Sequence, residues 1–355
     1  MNNLFNAFEL LLKRPTPRDV RRIQYAVTFR CDARCTMCKI WEKAEKRAEE
    51  ELSLDQIRSA FANRSFLKRL AIVDLTGGEP FVRKDFDRIC TFFLETFPSA
   101  RLLITTNGLN TDRIIETTQK VIDAQGGERV ELSISMDGRE ETHDKIRGRK
   151  GAFQAAVRTA NRAREIGTGK VTFSFTLIPE NADQVMDAYR FAKDRGFAFT
   201  TVRYAQESFY YANEGFLDTW TPEKKAIANA SIAELIAARK REGFTLQGAR
   251  DIHFLRRQMT FDPKKQRKES CYSGIHSFYL DPYGTLYPCV MLERPLGNIV
   301  NEGIEKVWFS DAADKVREYI KRKNCSCLTE CETFLSMQRD PAEIFRVFGE
   351  ALKER

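Results

Sequence analysis

Cys31-Asp-Ala-Arg-Cys35-Thr-Met-Cys38 puts three thiols within eight residues. Spaced x₃ and then x₂, three thiolates can wrap one corner of a cubane iron–sulfur cluster, ligating three irons and leaving the fourth open. Such clusters are normally held by four cysteines, and no fourth stands near this trio, so it points to a reactive centre. The alternative is zinc, which would need a fourth protein ligand or a water. A second group, Cys271, Cys289, Cys325, Cys327 and Cys331, lies far along the chain. Five thiolates can close one cubane but not two, so the expected set is Cys271, Cys289 and two of the last three. Structural zinc is again the alternative. Isolated Cys90 sits in Asp85–Phe97, where Phe86, Ile89, Phe93 and Leu94 recur at helical spacing, and reads as a small core residue. Clustered cysteines in a chain without a secretion signal argue for metal ligation over disulfides and for a cytoplasmic location.

The trio needs a rigid support, and the residues after it supply one. Strand patterns run over Gln24–Phe29, Leu70–Thr76, Arg101–Thr106, Val130–Met136, Val171–Leu177 and Phe197–Tyr204. Helical patterns alternate with them at Ser53–Asn63, Asp85–Phe97, Thr111–Gln125, Gly151–Ile166 and Ala182–Arg195. Ser53 and Gln56 make a capping-box pair. Repeated βα units imply an α/β fold with a parallel sheet and right-handed crossovers. Six units are too few for a complete eight-stranded barrel, so the expected form is an open, partial (β/α)₆ barrel. Ligands gather in such folds where loops leave the C-terminal ends of the strands, and the trio directly follows the first strand. A helix is expected over Pro222–Arg241, with Thr221 as its N-cap. The aromatic-rich loop 205–220 is placed to cover the barrel mouth. Past a basic linker at 262–268 the βα rhythm stops. Around the Pro-Tyr-Gly turn, Phe278–Tyr287 reads as a β-hairpin that brings Cys271 and Cys289 together. The expected domains are an N-terminal helical segment (1–23), the barrel (24–261) and a small cysteine-rich C-terminal domain with a terminal helix (262–355).

In this setting Cys31-x₃-Cys35-x₂-Cys38 resembles the signature of radical S-adenosylmethionine (SAM) enzymes. Family members usually carry an aromatic residue before the third cysteine; here it is Met37, whose polarizable thioether can pack against an adenine face. Gly77-Gly78-Glu79-Pro80 follows the second strand and matches the family's turn, where glycines permit close backbone approach and an acidic group with carbonyls can receive the methionyl ammonium. Asn107, in Thr105-Thr106-Asn107-Gly108, resembles a ribose-side segment. Ser133-Ile-Ser135-Met-Asp137-Gly138 and the following Ile146-Arg147-Gly148 are similar to the subgroup with extra C-terminal clusters. On that likeness Ser135 and Arg147 hold SAM's ribose and carboxylate, and Arg suits a carboxylate because its planar fork donates two parallel hydrogen bonds. His143 reads as structural. Cys271-x₁₂-Gly284-x₄-Cys289 with Cys325, Cys327 and Cys331 resembles the SPASM/twitch extension that holds auxiliary clusters, although a full SPASM domain carries seven cysteines.

The resemblance implies a catalytic [4Fe–4S] cluster, SAM and a second, auxiliary [4Fe–4S] cluster. It implies reductive cleavage of SAM, with flavodoxin or ferredoxin as electron donor, to a 5′-deoxyadenosyl radical that takes a hydrogen atom from substrate. The substrate is either a peptide or protein, or a small molecule such as a sugar, cyclitol or nucleoside. A non-catalytic iron–sulfur electron carrier is the contrasting reading, but a carrier needs no SAM turn. A formal charge of +8 is spread along the chain with no basic–aromatic motif, which argues against nucleic acid. No apolar run reaches the roughly 18 residues needed to span a bilayer. Leu4, Phe5, Phe8, Leu11 and Leu12 share one helical face, expected to cap the main domain.

Overall fold

Period-two alternation in the first five strands sorts their side chains onto two unlike faces. A computed structural model describes residues 16–44, 51–200, 202–243, 245–263, 265–267, 269–337 and 340–352. The apolar N-terminal stretch 1–14 lies outside the described residues, as do Lys264 and Lys268 of the basic linker. Strands β1 (Arg22–Thr28), β2 (Ile72–Gly77), β3 (Arg101–Thr106), β4 (Val130–Ser135) and β5 (Lys170–Ser174) pair in parallel and in chain order. On the outer face, Ile23, Tyr25, Val73, Leu75, Leu102, Ile104, Leu132 and Phe173 join one apolar core with the surrounding helices. On the inner face, Gln24, Asp74, Thr76, Thr105, Ser133, Ser135, Thr172 and Ser174 line a central cavity. This reverses the closed eight-stranded barrel, whose interior is filled by branched apolar side chains. The sheet gives the lumen a polar wall, while Met37, Tyr211, Met291 and Phe334 add apolar surface to it.

The helices on the outside are α1 (Leu54–Ala60), α2 (Phe86–Thr96), α3 (Thr111–Gln125), α4 (Glu140–Arg147), α5 (Ala152–Glu165) and α6 (Val185–Asp194). The Ser53–Gln56 capping box opens α1 with both reciprocal hydrogen bonds present. Cys90 is fully buried on α2. Thr221 caps α7 (Pro222–Arg241), which leads into α8 (Leu246–Met259).

Two expected strands are broken. Val171–Leu177 ends its run in the main sheet at Ser174, because the Thr176 amide donates to Asp137 Oδ1 at 2.9 Å. Thr176–Leu177 (β6) instead pairs with Arg203–Tyr204 (β8), while Ala198–Phe199 (β7) continues the main sheet beside β5.

The C-terminal region does not stand off as a separate layer. Ser277–Leu280 (β9) pairs in parallel with β1, Thr285–Tyr287 (β10) returns antiparallel to it, and Gly297–Asn298 (β11) follows. The hairpin turn is held by Asp281 Oδ1, which accepts from the Tyr283 and Thr285 amides, and Gly284 takes the left-handed φ of 86° there. Among the described residues the main sheet therefore runs β11-β10-β9-β1-β2-β3-β4-β5-β7. The expected boundary near residue 262 follows α8, but the sheet crosses it. Helices α9 (Asp311–Lys321), α10 (Glu330–Met337) and α11 (Pro341–Leu352) complete the chain.

Candidate functional site

The cysteine trio occupies the loop leaving β1, and neighbours splint that loop from three sides. From α4, the Arg147 and Ile146 carbonyls accept the Arg34 and Thr36 amides at 3.0 and 2.9 Å. From the turn after β2, the Gly78 and Glu79 amides donate to Thr28 and Arg30 carbonyls, both at 2.8 Å. From loop 205–220, Asn213 Nδ2 donates to the Met37 carbonyl at 3.1 Å and the Tyr211 carbonyl accepts from the Lys39 amide at 2.8 Å. Tyr210 closes the ring by donating to the Gly77 carbonyl at 2.8 Å. Loop 205–220 is thus a strap over the trio. No short motif flags Asn213 or Tyr210; only the aromatic density of the loop hinted at a cover.

The Gly-Gly-Glu-Pro turn works differently from the expectation. A Cβ on Gly77 would stand 2.1 Å from the Thr28 carbonyl oxygen, and one on Gly78 2.3 Å from that of Arg30. The glycines are required because the turn presses on the cysteine loop itself. Both nonetheless line the cavity. Glu79 is 2% exposed and turned inward, accepting from Thr106 Oγ1 at 2.9 Å, the Asn107 amide at 2.7 Å and the Phe81 amide at 3.3 Å. Burial pushes its carboxyl up to about 8 against those donors. Its oxygens hold the ends of β2 and β3 together, and its charge bears on Cys31 of the trio. Pro80 is likewise buried, opening the tight turn Pro80–Val82.

The remaining expected residues do converge. Cys31, Cys35, Cys38, Met37, Asn107, Ser135 and Arg147 all line one cavity of about 520 Å³. Asn107 Nδ2 donates to Asp32 Oδ1 at 2.7 Å and lies 4.0 Å from Cys31 Sγ. Arg147 pairs with fully buried Asp137 at 2.5 Å and points Nη1 at Cys35 Sγ, 3.6 Å away. His143 is fully buried and its Nδ1 accepts the Asp137 amide at 3.0 Å. Burial, aided by Arg147, pushes its pKa down to about 4, so it is neutral and braces the Asp137 turn. Burial also pushes the trio's thiols up, Cys38 to about 12, and a metal must displace their protons.

Four of the five C-terminal cysteines form a second centre. Cys289 lies in the electrostatic reach of Cys327 and Cys271, and Cys327 in that of Cys271 and Cys325. Buried Arg267 sits 3.7 Å from Cys327 Sγ. Cys331 is elsewhere. It lines the barrel cavity, 3.4 Å from Gln24 Nε2, with Arg22, Asp74, Glu330 and Arg203 as its charged neighbours. Of the last three cysteines, Cys325 and Cys327 are the two placed beside Cys271. On α10 the adjacent Glu332 turns a different way, accepting from Ser277 Oγ at 2.7 Å.

The trio offers three thiols and the C-terminal group four, the numbers that fit an open and a fully ligated iron–sulfur cluster.

Comparisons with known proteins agree with this geometry. Residues 25–192 match the model of the radical SAM superfamily, and residues 271–332 that of SPASM, an iron–sulfur cluster-binding domain. The chain is 26% identical over 312 residues to the sporulation killing factor maturation protein SkfB of Bacillus subtilis, covering 86% of this chain and 68% of that one. It is 31% identical over 163 residues to Fe-coproporphyrin III synthase of Methanosarcina barkeri, covering 46% of this chain and 38% of that one. Among solved structures, anSMEcpe with bound AdoMet and the Cp18Cys peptide superposes with a TM-score of 0.62 at 15% identity, covering 95% of this chain and 96% of that one. With a trio-bearing partial barrel matched by the first model and a cysteine-bearing extension matched by the second, the chain belongs to the radical SAM superfamily, in the subgroup that carries a SPASM domain.

Proposed function

We propose that this radical SAM enzyme modifies a peptide drawn into the barrel lumen. The observation that carries the reading is the lumen itself, a channel whose sheet wall bears hydroxyls and which leads from the trio past Ser133, Thr172 and Asp74 toward Arg250. Hydroxyls and amides of this kind suit a peptide backbone, which offers donors and acceptors in alternation. The maturation role in SkfB's name and the peptide in the anSMEcpe structure support the same class.

Cys31, Cys35 and Cys38 hold the catalytic [4Fe–4S] cluster, which with SAM supplies one-electron cleavage and a radical that abstracts hydrogen. Arg147 offers a fixed cation to SAM's carboxylate, pre-aimed by Asp137. Ser135 and Asn107 present polar groups to the same cavity, and Met37 an apolar platform. The strap 205–220 keeps the cysteine loop in shape and screens it from water. Cys271, Cys289, Cys325 and Cys327 close the auxiliary cluster with four protein ligands, which leaves no open iron and suits electron transfer. A small flavodoxin or ferredoxin supplies the reducing electron. No helix among the described residues is long and apolar enough to cross a membrane.

The test is anaerobic reconstitution with iron and sulfide, followed by a strong reductant, SAM and candidate precursor peptides from neighbouring genes. We expect 5′-deoxyadenosine together with a mass change in one peptide, both abolished by replacing Cys31, Cys35 and Cys38 with Ala. Cleavage surviving that triple replacement would overturn the catalytic assignment. Modification of a sugar, cyclitol or nucleoside, with no peptide changed, would overturn the substrate class alone.

A further inference from the structure

The fifth C-terminal cysteine is left over by the auxiliary centre, and its surroundings have a chemistry of their own. Cys331 sits on the lumen wall beside Gln24 and Asp74, which are 7% and 4% exposed. Gln24 Nε2 reaches both Cys331 Sγ and Asp74 Oδ2 at 3.4 Å, yet its own Oε1 has no hydrogen-bond donor. Asp74 Oδ2 is held by Arg22 at 2.5 Å, yet Asp74 Oδ1 has no donor either. On the donor side, Arg22 Nε and Thr329 Oγ1 lack acceptors. Buried polar atoms are rarely left without partners, because each such loss costs about 1–3 kcal/mol.

The four charged neighbours of Cys331 cancel in pairs. Arg22 is paired with Asp74, and Arg203 faces Glu330 at 3.8 Å. A charged ligand would upset that balance in a buried place, whereas a neutral group carrying both a donor and an acceptor would satisfy the orphaned atoms at once. An amide is such a group. Resting on the peptide reading above, we propose that Cys331 is no cluster ligand. With Gln24 and Asp74 it forms the floor of the substrate subsite, which receives an uncharged amide, from backbone or side chain, of the peptide unit being modified.

Two measurements on the reconstituted holoprotein decide this. The first is iron and sulfide content. Cys331→Ser should retain both clusters, about eight irons, while Cys325→Ala should lose about half. Loss of iron in Cys331→Ser as large as in Cys325→Ala would overturn the proposal. The second is alkylation by iodoacetamide, read by mass spectrometry. Cys331 should be labelled while the seven cluster ligands are protected. The probes are N-acetylglutamine methylamide, its glutamate and lysine counterparts, and myo-inositol. At ten times its Kd the neutral amide should slow labelling of Cys331 about tenfold, and Gln24→Leu should remove that protection without loss of iron. Protection by inositol or by a charged probe in preference to the neutral amide would overturn the subsite's assignment. So would labelling indifferent to all four. Failure of the peptide reading shows separately, as a wild-type enzyme that modifies no peptide while Cys331 still labels and both clusters remain.

Discussion

Arg147 has two tasks whose separation is measurable. It offsets the fully buried carboxylate of Asp137 and it faces the trio through Cys35. Arg147→Met should therefore destabilise the fold by about 3–5 kcal/mol, because it leaves a buried charge uncompensated. The double variant Arg147→Met with Asp137→Asn should recover most of that stability in denaturant titrations. SAM affinity should stay weakened by about 1.5–3 kcal/mol in both, the range for hydrogen bonds to charged groups. Recovery of SAM affinity along with stability would make Arg147 a structural residue only. At this scale, which residues gather at one cavity was more legible than which way they point. The Gly-Gly-Glu-Pro motif was legible, but nothing in four letters says that the carboxylate of Glu79 turns toward Thr106 and Asn107. Cys331 was grouped with its neighbours by proximity in the chain. A helix turns each residue by about a hundred degrees, so Cys331 and Glu332 leave α10 in different directions.

Elements are where reading from periodicity succeeds, because a half-buried strand or helix repeats its apolar residues at its own period. The five strands β1 to β5 and helices α1, α2, α3, α5 and α6 were legible for that reason, whereas α4, only eight residues long, was not. What periodicity cannot show is a break imposed from outside, and the split of 171–177 depends on one side chain, Asp137, from another strand-end loop. Contacts between loops are equally hidden, and the cysteine loop depends on them. Gly78→Ala would push a methyl group onto the Arg30 carbonyl, 2.3 Å away, and onto that of Phe29 at 2.6 Å. The loop must then shift. In a background lacking the auxiliary centre (Cys271→Ala with Cys289→Ala), the parent should bind about four irons and the Gly78→Ala variant fewer than about two. Circular dichroism should remain that of a folded α/β protein. Full iron occupancy in this variant would show that the trio tolerates the displacement.

For the whole molecule, the decisive contact is β9 on β1. It makes the C-terminal extension part of the barrel's sheet and places β1, with Tyr25, Ala26 and Val27 fully buried, between two neighbours. Truncation after residue 261 would strip β1 to an open edge, a template for intermolecular pairing. The truncated chain should aggregate on size-exclusion chromatography. Cys271→Ala with Cys289→Ala, which spares β9, should stay monodisperse while losing about half its iron. A soluble, folded barrel from residues 1–261 would contradict the shared-sheet account. Composition and motif order pointed to a barrel region and a cysteine-rich C-terminal region. That one ladder of hydrogen bonds joins them could not be read locally, since Ser277 pairs with Arg22 across some 250 residues.

The polar inner face of the strands has a thermodynamic consequence. Before substrate arrives, hydroxyls and charged groups along the lumen are solvated, and an incoming peptide exchanges those hydrogen bonds for its own. The sheet's share of that exchange takes little apolar area out of water, whereas Met37, Tyr211, Met291 and Phe334 add apolar surface to the same cavity, and a negative heat-capacity change on binding tracks apolar burial. Isothermal titration calorimetry across a range of temperatures should accordingly return a binding enthalpy that becomes more negative as temperature rises. An enthalpy that varies only weakly with temperature would mean that the substrate meets the sheet's polar wall alone.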